Sequence, residues 1–186
     1  MSLRVVSGKA KGLRLKTLNG LQTRPTADRI KESLFSIIAP LLNEAIVLDL
    51  FAGTGALGIE ALSRGAEFAT FIDSSRESIS VIKENVNHAD FEKLSEIYLK
   101  DFDAAIKLLA KKNKKFDIIF LDPPYGKGLE FKAVEYIEQN NLLSEKGIII
   151  IETEELLEDR LFGMIKYDER SYGRTKLSFY KKEQRI

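Results

Sequence analysis

The segment from Ile118 to Gly128 reads IIFLDPPYGKG, in which an apolar run ends in an acid, two prolines and a tyrosine. Proline has no backbone N–H and restricts φ, so this turn is rigid and lacks two donors. The acceptors that remain are the Asp122 carboxylate and the Pro123 carbonyl. They suit an exocyclic amino group, and Tyr125 offers a flat face on which a base can stack. A rigid turn with a packing tyrosine is the alternative interpretation.

A second candidate site is the segment LDLFAGTGALG, which contains a G-x-G-x-x-G pattern beginning with Gly53 and Gly55. The pattern follows an apolar run and opens a helical pattern, which is typical of loops that bind nucleotide cofactors. Glycines let the backbone approach a ligand closely. Asp73 ends the next apolar run, where an acid can hold the two ribose hydroxyls. A tight strand-to-helix turn without a ligand is the alternative.

The chemistry of the cofactor follows from Asp49, four residues before Gly53. A carboxylate there would repel a pyrophosphate and attract a cation. S-adenosylmethionine carries an ammonium, a ribose and an adenine but no phosphate. We therefore expect S-adenosylmethionine rather than NAD, with Phe51 in the same site.

A further acid, Asp101, follows the third apolar run. Its carboxylate would accept a hydrogen bond from the adenine amino group, with Phe102 against the ring. The alternative is an acid at a helix N-terminus, where the helix dipole favours negative charge.

These residues need a scaffold that brings them together, and the hydrophobic pattern predicts one. Apolar runs alternate with helical patterns, which indicates a parallel sheet covered on both faces. In such sheets ligands bind beyond the carboxyl ends of the strands. Strands are predicted near residues 45–51, 66–73, 94–100, 116–122 and 146–152, and helices near residues 55–64, 75–88, 101–111 and 129–139.

Both ends of the chain depart from this alternation. The N-terminal segment predicts a hairpin around residues 8–12, then a helix with Thr26 as its N-cap that Pro40 ends or bends. The C-terminal segment predicts an antiparallel hairpin that turns near Gly173. The fold class is therefore α/β: a doubly wound, mostly parallel seven-stranded sheet with an antiparallel C-terminal hairpin and a small N-terminal hairpin-plus-helix extension.

Composition narrows the class of protein. The chain has no cysteine, so it forms no disulfide and no thiolate metal site. It shows no apolar run of the roughly 18 residues that span a membrane and no signal-peptide pattern, so we expect a cytoplasmic protein. The net charge is +1, yet residues 1–31 hold eight Lys or Arg and one acid, and residues 160–186 hold eight and three. Two basic ends indicate a polyanion-binding surface, with solubility as the alternative.

The combination of DPPY with DLFAGTG resembles class I S-adenosylmethionine-dependent amino-methyltransferases. The segments RVVSGKAKGLRLKT, RPTADRIKESLFSII and LDLFAGTGALGIEALSRGA narrow this resemblance to the RsmD family, bacterial 16S rRNA guanine-N2 methyltransferases. The resemblance covers nearly the whole chain. It implies a Rossmann-like methyltransferase sheet and a 16S ribosomal RNA substrate, either free or within a small-subunit particle, with no metal and a monomeric enzyme.

The resemblance also assigns roles position by position. Residues 1–42 would form an RNA-facing extension, and residues 43–186 the methyltransferase domain. The cofactor residues would be Asp49, Phe51, Gly53, Gly55, Asp73, Asp101 and Phe102. The catalytic residues that present the amine would be Asp122, Pro123 and Tyr125. The residues that reach RNA or cofactor would be Arg24, Thr26 and Arg29.

Three other functions remain open at this point. An adenine N6-methyltransferase shares the DPPY turn but usually needs a separate target-recognition region, for which this chain has little room. An NAD-dependent oxidoreductase is disfavoured by Asp49 and the DPPY turn. A non-enzymatic RNA-binding protein is disfavoured by the intact Asp49, Asp122 and Tyr125.

Overall fold

The computed structural model describes residues 3–18 and 25–183, without the side chains of residues 25–27. Its helices are α1 (Pro25–Ile37), α2 (Ala56–Ser63), α3 (Arg76–His88), α4 (Phe102–Lys111) and α5 (Leu129–Gln139), with short 3₁₀ turns at Ala39–Leu41 and Glu92–Leu94. Its strands are β1 (Ile46–Asp49), β2 (Phe68–Asp73), β3 (Ser95–Leu99), β4 (Phe116–Leu121), β5 (Leu143–Thr153), β6 (Arg160–Leu161), β7 (Met164–Tyr172) and β8 (Thr175–Lys182).

The strands of the described residues form one sheet in the order β3-β2-β1-β4-β5-β8-β7-β6. Strands β1 to β5 pair in parallel, whereas β8, β7 and β6 are added antiparallel. The predicted doubly wound sheet and C-terminal hairpin are confirmed. An eighth strand, β6, was not predicted because two residues are too short to show a period. Within the described residues, no helix is both long and apolar enough to cross a membrane.

The two faces of the sheet are covered by different helices. Alternate strand residues point to opposite faces, and each face has its own buried cluster. One cluster joins the strands to α1, α2, α3 and the N-terminal segment, and includes Val47, Phe71, Phe120, Ile150, Leu34, Ile59 and Ile82. The other joins them to α4 and α5, and includes Leu48, Ile72, Ile119, Ile149, Ile106, Leu109 and Val134. Strands β1, β2 and β4 are therefore buried on both faces, as their continuous apolar runs predicted, whereas the edge strand β3 is only partly buried.

The N-terminal segment differs from its prediction. Its two arms meet in a single antiparallel bridge between Arg4 and Arg14, and neither arm forms a strand. Val5 N and Leu15 N donate across the two arms, to the carbonyls of Leu13 and Leu3. The ladder extends no further, because other backbone N–H groups of this segment donate to α2 and α3. Lys9 N donates to the Ser63 carbonyl at 2.7 Å, and Lys16 N donates to Asn85 Oδ1 at 2.7 Å.

The turn of this segment touches α2 directly. A Cβ on Gly8 would lie 1.8 Å from the Ser63 carbonyl oxygen, and its φ is +86°. Both facts restrict this position to glycine, because a side chain would collide with backbone that cannot give way.

Helix α1 begins two residues earlier than predicted, since a Thr26 N-cap would place its first helical residue at position 27. Thr26 lies in its first turn and is not its N-cap, because the helix starts at Pro25, and proline favours a first helical position. The helix ends at Ile37, and Pro40 lies in the 3₁₀ turn that follows, as expected for a residue that cannot continue a helix.

A cluster centred on Glu60 joins the N-terminal segment, α1 and α2. Glu60 is fully buried, and its carboxylate accepts from Val6 N at 2.8 Å and Ser7 N at 3.0 Å. It also pairs with Arg64 Nε at 2.8 Å and Lys31 Nζ at 3.4 Å. Burial lowers the pKa of Lys31, and the Glu60 charge opposes that shift. The cluster therefore depends on every partner being present.

Replacing Glu60 with alanine should destabilise the protein by roughly 3–5 kcal/mol, because it leaves a buried lysine without a counterion and two amides without an acceptor. Urea denaturation measures this change. Glu84→Ala is the matched control, since its ion pair with Lys16 at 2.6 Å joins half-exposed side chains and contributes under about 1 kcal/mol. Equal losses in the two variants would contradict a structural role for the cluster.

Candidate active site

Four acids lie at the carboxyl ends of neighbouring strands: Asp49 on β1, Asp73 on β2, Asp122 after β4 and Glu152 on β5. We call them the strand-end acids. Each acid follows by two positions a residue that is buried on the face of the sheet covered by α1, α2 and α3. Because side chains alternate between the two faces along a strand, all four acids point toward that face. The sheet order β2-β1-β4-β5 makes them neighbours in space.

A cavity of about 820 Å³ opens at this edge of the sheet. Eight predicted site residues line it: Phe51, Gly53, Asp73, Asp101, Phe102, Asp122, Pro123 and Tyr125. Two predicted residues, Asp49 and Gly55, are not among the lining residues. The other lining residues, which sequence reasoning did not assign to the site, include Leu18, Lys100, Asp103 and Lys127. Leu18 brings the N-terminal segment to the cavity, which no local pattern in the sequence signals.

The glycine loop owes its shape to backbone that other residues rarely adopt. Gly53 and Gly55 have φ values of +55° and +79°. A Cβ on Gly53 would meet nothing within 4 Å, so this glycine leaves open space on the cavity side. The third glycine, Gly58, has another role: a Cβ there would lie 2.3 Å from the ring of Phe71, so it lets α2 pack closely on the sheet.

Two side chains fix the loop in place. Gly53 N donates to Asp73 Oδ2 at 2.8 Å, and Ser75 N donates to Asp73 Oδ1 at 2.8 Å. Each Asp73 oxygen keeps a second lone pair that can accept a hydroxyl. On the other side of the loop, Asn85 Nδ2 donates to the Thr54 carbonyl at 2.9 Å.

Asp49 lies behind the glycine loop and is only 1% exposed. Its Oδ2 accepts from Gly58 N at 3.1 Å. Burial raises the pKa of Asp49 to about 7, the Gly58 hydrogen bond opposes the rise, and the Asp73 charge adds to it. A cation placed beside this carboxyl would favour its ionised form.

Asp101 occupies the N-cap position of α4, but its side chain makes no capping hydrogen bond. Its carboxylate is exposed and remains available to a ligand. Phe102 packs 5.6 Å from Phe51 and 6.1 Å from Tyr136, measured between ring centroids. Phe51 and Phe102 line the cavity, and Tyr136 packs behind Phe102. Tyr136 was not predicted, because it is one of several apolar-face residues of α5.

The DPPY turn presents Asp122 and Tyr125 and buries Pro123. Asp122 is open to the cavity, yet protein surrounds it on most sides, and the pKa of its carboxyl is raised well above the ordinary value. Burial is the main cause, followed by the charges of Glu152 and Asp49. Tyr125 is 46% exposed, so its ring is available at the cavity mouth.

Glu152 is a site residue that sequence reasoning missed. The Tyr125 hydroxyl donates to Glu152 Oε1 at 3.3 Å. Burial raises the pKa of Glu152, and the Tyr125 hydrogen bond opposes the rise. Its signal was present in the sequence, because the apolar run IIII ends in an acid as the other parallel strands do.

Of the three predicted RNA-facing residues, only Arg29 has a described side chain. Arg24 lies outside the described residues, as does the side chain of Thr26. Arg29 is exposed on α1 and does not line the cavity.

This sheet order, with a glycine loop after β1 and a DPPY turn after β4, defines a Rossmann-like methyltransferase fold. The family model described as conserved hypothetical protein 95 matches residues 3–181. The chain belongs to this family, which is the RsmD family that its sequence resembles.

Individual proteins agree with this assignment. YlbH of Bacillus subtilis is 39% identical over 97% of this chain and 99% of its own length. Ribosomal RNA small subunit methyltransferase D of Haemophilus influenzae is 31% identical over 89% of this chain and 91% of its own. The solved structure of yhhF from Escherichia coli is 32% identical with a TM-score of 0.84, and both chains are fully covered.

The buried Asp49 leads to a pH-dependent stability. Its folded pKa of about 7 exceeds the ordinary 3.8, so the folded state holds a proton that the unfolded state releases. Stability should therefore fall as the pH rises from about 4 to about 7 and should stay level above that. Asp49→Asn keeps an acceptor for Gly58 N but removes the ionisation, so it should lack this loss, which is about 1.4 kcal/mol per pKa unit.

Urea denaturation of wild type and Asp49→Asn from pH 4 to pH 8, without cofactor, measures the difference. Asp90→Asn, at an exposed position away from the cavity, is the matched control. Parallel curves for wild type and Asp49→Asn would mean that Asp49 is already ionised in the folded protein at low pH.

Proposed function

We propose that this protein transfers a methyl group from S-adenosylmethionine to the exocyclic N2 amine of a guanine in bacterial 16S ribosomal RNA. The observation that carries the proposal is the single cavity that the glycine loop, Asp73 and the DPPY turn line together. The name of the relative from Haemophilus influenzae, a ribosomal RNA small subunit methyltransferase, supports the RNA substrate.

The residues present fit S-adenosylmethionine. The open space at Gly53 accommodates the amino-acid end, and Asp49 behind the loop attracts its ammonium. We assign Gly55 to the same end, because its left-handed φ shapes the loop. Asp73 would accept the ribose hydroxyls. Asp101 would accept from the adenine amine, with the rings of Phe51 and Phe102 against the base.

The DPPY turn would act on the target amine. S-adenosylmethionine supplies a methyl group on a sulfonium, so an N–C bond forms as the C–S bond breaks. The Asp122 carboxylate and the Pro123 carbonyl accept hydrogen bonds from the amine, which aims its lone pair and stabilises the positive charge that grows on nitrogen. The amine then releases a proton to Asp122 or to water. Tyr125 stacks on the guanine ring.

The RNA would meet the cavity mouth and the basic ends of the chain. Lys100 and Lys127 line the cavity, and Arg29 is exposed on α1. We assign residues 1–42, with Arg24 and Thr26, to RNA contact and residues 43–186 to catalysis. Residues of both parts share one buried cluster, so the division is one of function and not of packing. The protein would act in the cytoplasm as a monomer, on free 16S RNA or on a small-subunit particle.

The proposal is tested by mapping methylated nucleosides in small-subunit RNA by mass spectrometry. Cells that lack this protein should lose an N2-methylguanosine that wild type restores and Asp122→Ala does not. Asp159→Ala, at an exposed position that does not line the cavity, should restore it. An unchanged N2-methylguanosine content would overturn the proposal, and a change in N6-methyladenosine instead would assign the site to adenine.

Asp122→Ala should bind S-adenosylhomocysteine with nearly normal affinity, because Asp122 is assigned to the amine. Isothermal titration calorimetry measures this affinity. A lost heat of binding would place Asp122 in the cofactor site.

Tyr125→Phe should keep most of the methylation rate, because the ring and not the hydroxyl is assigned to stacking. Tyr125→Ala should lose roughly 10- to 100-fold in kcat/KM, as expected for a lost base-stacking contact. Single-turnover methylation of undermethylated RNA measures both. A nearly inactive Tyr125→Phe would assign the role to the hydroxyl and its bond to Glu152.

A further inference from the structure

We infer that Glu152 determines the specificity for guanine by accepting a hydrogen bond from N1–H of the target base. This inference rests on the proposed function and names a base-reading residue beyond the DPPY turn. Two observations and one chemical argument support it. Glu152 lies beside Asp122 and accepts a hydrogen bond from Tyr125. Two adjacent carboxylates match the two adjacent N–H donors of guanine and do not match adenine or cytosine.

The position follows from strand register. Leu121 of β4 pairs with Ile151 of β5, so the next residues, Asp122 and Glu152, stand side by side. The alternation turns both toward the same face of the sheet. Their charges interact, which agrees with this proximity.

The Tyr125 bond orients the Glu152 side chain. The hydroxyl donates to Oε1 at 3.3 Å, which favours the ionised carboxylate and leaves Oε2 for another donor. Among the ion pairs of the described residues, none joins Glu152 to a lysine or arginine. Glu152 is therefore a half-buried acceptor with spare capacity next to the residue assigned to the amine.

Base chemistry selects the occupant. The Watson–Crick edge of guanine places the N1–H donor directly beside the N2 amine. Adenine and cytosine each place a bare ring nitrogen, an acceptor, beside their amine. A carboxylate next to Asp122 would therefore accept a hydrogen bond from N1–H of guanine. In adenine or cytosine it would face the lone pair of the ring nitrogen. Affinity for those bases would be lower, because the carboxylate and the ring nitrogen are both acceptors and neither gains a donor.

The test uses RNA carrying either guanine or 2-aminopurine at the position mapped as above. 2-Aminopurine keeps the C2 amine but has no N1–H, so wild type should methylate it far less than guanine. In Glu152→Gln, the Tyr125 hydroxyl continues to bond the amide oxygen, which turns the –NH₂ toward the base. That donor suits the bare N1 of 2-aminopurine.

Glu152→Gln should lower kcat/KM for guanine by roughly 10- to 100-fold and should narrow or reverse the preference over 2-aminopurine. Glu154→Gln, an exposed glutamate two residues further along, is the matched control and should leave both rates and their ratio unchanged. S-adenosylhomocysteine affinity should be the same in all three proteins, which shows that each is folded.

The outcomes separate this inference from the proposed function. If Glu152→Gln slows both substrates equally, Glu152 does not read N1–H, and the inference is wrong while the methyltransferase proposal stands. If wild type methylates neither substrate, the proposed function fails and the inference fails with it. A ratio that changes only in Glu152→Gln supports both.

Discussion

The parallel pairing of β1 with β2 on one side and β4 on the other is the constraint on which the site depends. It aligns Asp49 with Phe71 and with Phe120, so the carboxyl ends of three strands meet at one edge. The chain crosses β1 to reach β4, and the crevice above that crossing is where a ligand can enter. The glycine loop and the DPPY turn, which both line the cavity, leave the sheet at this edge. The strand register therefore determines which side chains and loops can meet in the cavity.

The same edge collects negative charge in a confined space. The pKa values of Asp49, Asp122 and Glu152 are all raised, chiefly by burial. Burying several carboxyl groups together makes the free energy of folding less favourable. Residues with only a structural role would not require such an arrangement. A ligand with an ammonium and a base with adjacent N–H donors would each relieve part of it. This edge of the sheet thus suits positively charged partners and partners rich in hydrogen-bond donors, which agrees with the cofactor and base that we propose.

Much of the fold followed from the sequence because long apolar runs and turn residues signal it locally. The five parallel strands and the residues lining the cavity were placed by the rule that strand ends meet. The sequence did not indicate which hydrogen bonds join residues that are far apart along the chain. Several amides of the N-terminal arms look available for a hairpin, but they donate to Glu60, Ser63 and Asn85. Glu152 was overlooked because its strand was judged by its apolar run and not by its final acid.

The Glu60 cluster recognises backbone and not side chains in the N-terminal segment. Its carboxylate accepts the amides of Val6 and Ser7, which every residue except proline offers. These hydrogen bonds therefore allow substitution at positions 6 and 7 by any residue except proline. Glu60 cannot be replaced in the same way because it supplies the acceptor, and Gly8 cannot because there is no room for a Cβ. The surface that we propose contacts RNA could thus change residue by residue to suit a new substrate, while its attachment to the rest of the protein stays the same.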